Sequence, residues 1–273
     1  MKRFTLLTFA LLMTFSLAAQ EIALQLYSLR NELKDNPGKY FEMIPSWGIN
    51  ALEGGGGYGY SDSEFQSMLK DNQLRIIGVG ADYGQLSQDL SPIIANAKKF
   101  GAKYVTCYWI PHAEGPISAE ELIDATALFN DAGAKLQKEG LTLLYHPHGY
   151  EFSPTADGQL MDYMFENAKN FAFNMDVFWV KQGGGDPLKI MKTYPGKFPM
   201  LHMKDRRKGT KNSLDGRADV EDNVVLGTGD VGIAAIIKEA KKQGTAFLVI
   251  EDESSRSVSQ IPQSVAFIQK HLK

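Results

Sequence analysis

The sequence predicts a single-domain (β/α)8 barrel, and three observations predict it. Short β-rich runs alternate with longer amphipathic segments to the end of the chain, the pattern of parallel strands joined by crossover helices. Behind a distinct N-terminal segment lie about 250 residues, enough to bury one large core and typical of an eightfold barrel. No low-complexity linker or shift in composition marks a second domain.

The N-terminus has its own character. Lys2 and Arg3 precede an uncharged, largely apolar run from Phe4 to Leu17 that ends in Ala18-Ala19-Gln20, the layout of a secretory signal peptide over residues 1–19. That run is shorter than the ~20 residues needed to span a bilayer and has no basic flank on its far side, which disfavours a membrane anchor. No cysteine follows the expected cleavage after Ala18 or Ala19, so lipid attachment is not expected. The barrel domain is therefore read as residues 20–273 of an exported, periplasmic protein with no membrane contact after cleavage.

Eight strands are expected, at Ile22–Tyr27, Asn50–Glu53, Arg75–Val79, Tyr104–Tyr108, Thr142–His146, Ala172–Asp176, Pro199–Lys204 and Ala246–Glu251. Each is rich in β-branched, aromatic or aliphatic residues. Ser61 with Glu64, and Ser118 with Glu121, have capping-box spacing ahead of amphipathic runs. Pro37, Pro92 and Pro187 fall where a first helical turn should begin, and Gly48, Gly101, Gly140 and Gly244 sit where helices should end before the next strand. The longest irregular stretch, from Asp205 to Asp230, mixes both charge signs. After a seventh barrel strand it serves either as a wall over the catalytic face or as a solvated insertion.

Charge and cysteine content exclude some functions. Setting aside Lys2 and Arg3 leaves 27 of the 29 basic residues against 32 acidic ones, a formal charge near −5 that disfavours nucleic acid and other polyanions. Cys107 is the only cysteine, so no internal disulfide can support the fold. A homo-oligomer stays open.

The polar residues able to hold a metal collect at the C-terminal ends of expected strands, and a barrel gathers those ends on one face. His146, His148 and Glu151 follow the fifth strand in Tyr145-His-Pro-His-Gly-Tyr-Glu-Phe152. Asp176 ends the sixth in Asn174-Met-Asp-Val-Phe-Trp179, His202 lies in Leu201-His-Met-Lys-Asp205, and Glu251 ends the eighth in Ile250-Glu-Asp-Glu-Ser254. Carboxylates with one or two imidazoles suit one divalent ion, Mn²⁺, Co²⁺, Mg²⁺ or Zn²⁺.

With those motifs, together with Gly184-Gly-Asp-Pro187 and Leu226-Gly-Thr-Gly229, the chain resembles the sugar phosphate isomerase/epimerase family of the xylose-isomerase-like, or endonuclease IV-like, barrel superfamily. The resemblance covers nearly all of residues 20–273. It implies that Asp176, His202 and Glu251 are metal ligands. Many members carry a glutamate at the tip of the fifth strand, where this chain has Tyr145-His146; Glu151 is the expected fourth ligand, with His146 or His148 as its rival.

A divalent ion beside a carbonyl polarises it and eases loss of the adjacent proton. The expected chemistry is therefore isomerisation or epimerisation of a keto sugar or sugar derivative, a small-molecule carbohydrate. Glu251 and Glu151 are candidates for base or ligand, and His148 and Lys204 for orienting or protonating oxygens. A lyase or hydratase acting on a 3-keto-glycoside would use the same proton abstraction. A carbohydrate-binding barrel without catalysis is a further alternative; phosphodiester cleavage is disfavoured by charge, export and the few histidines.

Other residues divide between pocket and packing. Glu53, ahead of the glycine run Gly54 to Gly57, either reaches inward to substrate or precedes a flexible turn. Trp109 and His112 after the fourth strand, and Trp179 after Asp176, either line the pocket or pack. Lys204 and Asp205 either contact substrate or form a structural ion pair.

Overall fold

Parallel pairing of the first strand with both the second and the last closes this chain into a ring. The computed structural model describes residues 20–55 and 59–273. The expected signal peptide over 1–19 lies outside the described residues, as do Gly56, Gly57 and Tyr58 of the glycine run. The strands are β1 (Glu21–Gln25), β2 (Ala51–Glu53), β3 (Arg75–Ala81), β4 (Tyr104–Cys107), β5 (Thr142–Tyr145), β6 (Ala172–Asp176), β7 (Met200–Met203), β8 (Asp205–Arg206), β9 (Asn223–Val224) and β10 (Phe247–Ile250). All but β8 and β9 form a closed parallel barrel in the order β1-β10-β7-β6-β5-β4-β3-β2, which is the (β/α)8 architecture.

Helices cover the outside, and their start signals work as the sequence predicts. Ser118 Oγ accepts the Glu121 N–H at 3.2 Å, while Glu121 Oε2 accepts the Ser118 N–H at 2.9 Å, opening the helix Ala119–Lys138. Ser61 and Glu64 cap Asp62–Asp71 in the same way. Gly101 and Gly244 end their helices with φ of 67° and 73°, the left-handed conformation that a side chain would disfavour. Among the described residues no helix is long and apolar enough to cross a membrane.

The barrel interior is layered. Ala23, Ala51, Ile77, Leu144, Met200 and Val249 form a small buried apolar cluster of their own, separate from the larger core between barrel and helices. In all of these strands but β3, the inward position two residues further along, toward the C-terminal end, is polar: Gln25, Glu53, His146, His202 and Glu251. Because strand side chains alternate with period two, the apolar floor and the polar layer above it are fixed together; a one-residue slip would turn both outward.

Several strands are shorter than the sequence suggests. Tyr108, His146, Lys204 and Glu251 each stand one residue past the last residue of their strand, and Leu26–Leu29 turns into a 3-10 helix. At the mouth the backbone leaves the ladder while its side chains still face inward, and hydrophobic pattern does not record where the ladder ends. In the other direction, β3 continues to Ala81.

The segment after β7 is tied to the barrel. Strands β8 and β9 pair antiparallel. Asp205 is buried and accepts N–H groups from Arg206, Gly227, Gly229 and Val231 at 2.9, 2.8, 2.9 and 3.2 Å. Its carboxylate is committed to fastening this loop, so the substrate contact that was one reading of Asp205 is corrected to a structural role, through backbone N–H groups and not an ion pair. Arg206 supports the same root through both oxygens of Asp230, at 3.1 and 3.0 Å.

Candidate metal centre

Four barrel strands deliver one candidate ligand residue each to the mouth. His146 follows β5, Asp176 ends β6, His202 lies in β7 and Glu251 follows β10. One donor atom from each lies within 4.8 Å of the others, and all four residues are buried.

The local bonds show which atoms are left over. Asp176 caps the helix Val177–Gln182: its Oδ1 accepts the N–H groups of Phe178 at 2.7 Å and Trp179 at 3.0 Å. Its Oδ2 is buried without a hydrogen-bond partner, and so is Nδ1 of His146. Nε2 of His146 lies 4.0 Å from that Asp176 oxygen, and a cation between them would partner a carboxylate oxygen whose burial without a bond is otherwise costly. Two imidazoles and two carboxylates are also the donor set that a borderline divalent ion prefers.

Beside the quartet, in the same polar layer, sits Glu53. Its carboxylate accepts from Thr106 Oγ1 at 2.7 Å, Asn174 Nδ2 at 2.9 Å and Gln25 Nε2 at 3.2 Å, and its Oε2 lies 2.5 Å from Nε2 of His202. Nδ1 of His202 lies 3.0 Å from Oε2 of Glu251. Carboxylate, imidazole and candidate site are thus in series, the arrangement that fixes the orientation of a ligating histidine.

Burial and charge set the protonation states. Burial drives the His146 imidazole well below its ordinary range and His148 down to about 3, so both are neutral with lone pairs available. Burial also lowers His202, but Glu53 and Glu251 outweigh it and bring the imidazole up to about 10. Burial raises Asp176 to about 7. For Glu251 the upward push of burial is overcome by Lys204 and His202, which hold the carboxyl well below the usual range.

Above the quartet opens a cleft of about 530 Å³ whose wall includes Gln25, Tyr108, Trp109, His146, His148, Trp179 and Glu251. Trp109 is 44% exposed at the rim, whereas Trp179 is almost covered. Tyr108 accepts from Gln25 Nε2 at 2.9 Å and lies against the His146 ring.

Residues 41–271 match the family model described as xylose isomerase-like TIM barrel. The chain belongs to that family. No curated protein matches it in sequence. This xylose isomerase-like barrel has close structural counterparts. A sugar phosphate isomerase/epimerase from Parabacteroides distasonis superposes with a TM-score of 0.74 at 21% identity, over 95% of this chain and 98% of the other. The probable 3-DHS dehydratase AsbF of Bacillus anthracis gives 0.68 at 15% identity, over 92% and 99%. The IOLI protein, solved with a binding zinc atom, gives 0.67 at 13% identity, over 92% and 96%. At these identities the likeness is one of fold.

Within this xylose isomerase-like barrel, Asp176, His202 and Glu251 come together as the sequence suggests, but Glu151 does not join them. It is buried and bonded to the Tyr145 hydroxyl, and it accepts the His148 N–H at 3.0 Å. Its oxygens are spent shaping the Pro147-His148 turn, and His146 is the residue that stands with Asp176, His202 and Glu251. The expected part for Glu151 as ligand or base is corrected on that ground. Burial raises its carboxyl to about 7.

Glu53 is likewise corrected from substrate contact to support of His202, since it lies fully buried below the cleft. His112 packs on Tyr150 with ring centroids 4.0 Å apart and accepts or donates at the Ile110 carbonyl, outside the central cleft. Lys204 is buried beside Glu253, with Glu251 at 3.7 Å and the rings of Phe178 and Trp179 about 5 Å away. Burial opposes its charge, but Glu251, Glu253 and Asp176 outweigh that and raise it above the ordinary lysine range.

Gln25, Tyr108, Thr106, Asn174 and Glu253 escaped the sequence reading. Gln25 and Asn174 carried a usable signal, since each is a lone amide inside an apolar strand run. Tyr108 and Thr106 carried none, because aromatic and β-branched residues are ordinary strand formers.

Proposed function

We propose that this protein is an enzyme that isomerises or epimerises a keto sugar or sugar derivative, using one divalent cation held by His146, Asp176, His202 and Glu251. The observation that carries the reading is the convergence of these four buried side chains, with Asp176 Oδ2 left unpartnered among them and His146 and Glu251 lining the cleft. When bound there, the cation supplies polarisation of the substrate carbonyl, which acidifies the neighbouring C–H.

The chain's own residues do the rest. Glu251, ionised and facing the cleft, takes the proton. Lys204 pairs with Glu251 and Glu253 and holds the Glu251 carboxyl in its charged form. Neutral His148 lines the cleft, where its imidazole can bond a substrate hydroxyl. Trp109 and Trp179 form apolar walls that suit the C–H faces of a sugar ring and exclude water. The expected export to the periplasm is part of this proposal, and N-terminal sequencing of the protein from that compartment should begin near Gln20.

Incubation of the metal-loaded protein with keto sugars in heavy water tests the reading. Deuterium should appear at the carbon next to the carbonyl, and Glu251→Gln should cut exchange by roughly a hundredfold or more while the fold persists. Tight sugar binding with no exchange would instead make this a non-catalytic binding barrel. Removal of a leaving group after the same proton transfer would make it a lyase, a reading supported by the dehydratase named among the structural neighbours; an unsaturated product identifies it.

A further inference from the structure

A second cavity, of about 330 Å³, opens beside the central cleft. The two share Gly80, Tyr108 and Trp109, so the Trp109 indole is a wall common to both. Beyond that shared wall the side cavity is bounded by Tyr83 and Pro111, which offer apolar faces, and by Asp82 and Gln85, which offer polar groups. Gln85 Oε1 accepts the Asp82 N–H at 3.0 Å, leaving its amide NH2 for another partner. Apolar faces with a few polar groups at the edge suit a sugar ring, whose C–H faces stack and whose rim of hydroxyls bonds.

A different hollow on the far side of Trp109 lacks this continuity. It shares only Trp109 with the cleft and is rimmed by Glu114, Asp215 and Arg217, with Arg217 bonded to Glu114 at 3.1 Å.

We infer that the substrate has two rings: the reacting sugar lies in the central cleft, and a second glycosyl unit occupies the cavity between Trp109 and Gln85. This rests on the carbohydrate reading above and adds to it that the substrate class is a glycoside.

Gly84 provides a clean test. Gly84 lines the cavity, a Cβ built there meets no atom within 4 Å, and its φ is not in the left-handed range, so Gly84→Trp adds bulk at the cavity wall without straining the backbone. Binding of D-fructose and of the keto disaccharides turanose, lactulose, leucrose and isomaltulose to the metal-loaded protein would be followed by ligand-observed NMR. At least one disaccharide should bind ten times more tightly than fructose. That preference should fall to near unity in Gly84→Trp and at least threefold in Gln85→Ala, an exposed position. Equal affinity for one and two rings, or a preference that both variants retain, overturns the inference while leaving the carbohydrate reading intact. If neither fructose nor any disaccharide binds, both fall together.

Discussion

Oε2 of Glu53 lies 2.5 Å from Nε2 of His202 at the centre of the barrel, where neither side chain reaches solvent. The contact pins one nitrogen of the imidazole and leaves the other facing Glu251 and the quartet. Replacing Glu53 with alanine should therefore weaken metal affinity by about 10–100-fold without altering any ligand. Calorimetric titration with Mn²⁺ or Zn²⁺ measures this, and an unchanged affinity would show that His202 is held by other means.

Metal affinity should also depend on pH. With His202 brought up to about 10, its imidazole is protonated at neutral pH and must lose a proton to become a donor. The proton competes with the cation, so affinity rises with pH, by up to about tenfold per unit between pH 8 and 9, where the Asp176 carboxyl is already ionised. Titrations at about pH 8.5 in buffers of different ionisation enthalpy should detect close to one proton released per ion. Heats that are independent of the buffer would contradict the assignment.

Asp176→Asn separates folding from metal binding. Asparagine caps helices as well as aspartate does, so the bonds to Phe178 and Trp179 can persist while the charge aimed at the quartet is lost. The variant should melt within a few degrees of the parent and bind a divalent ion at least a hundredfold more weakly. A large drop in melting temperature would instead mark Asp176 as chiefly structural.

Asp205→Ala should do the reverse. Four N–H groups lose their shared acceptor, and the cost is roughly 3 kcal/mol, or a fall in Tm on the order of 10 °C. Metal affinity should change little, because Asp205 stands outside the quartet. A melting temperature equal to that of the parent would show that water or neighbouring groups replace the carboxylate.

The barrel was legible because period-two strands, capping boxes and helix-ending glycines all point to the same repeat. Three of the four candidate ligands were legible as well, since Asp176, His202 and Glu251 stand at the ends of successive expected strands. Glu151 misled because linear distance from a strand says nothing about where a turn sends its side chain. The Pro147-His148-Gly149 turn directs Glu151 back onto Tyr145, and the position nearest the strand, His146, reaches the mouth. Glu53 was seen as inward-facing, but its partner is 149 residues away in sequence, a pairing that only ring closure creates.

Because the quartet draws on β5, β6, β7 and β10, its last member arrives only when the C-terminal strand is seated between β1 and β7. A chain cut before Phe247 keeps three candidate donors but has an open ring to hold them. Uptake of the ion is thus a report on completed assembly: fragments ending upstream should fail to capture it, and the cation cannot serve as a template for the earlier strands.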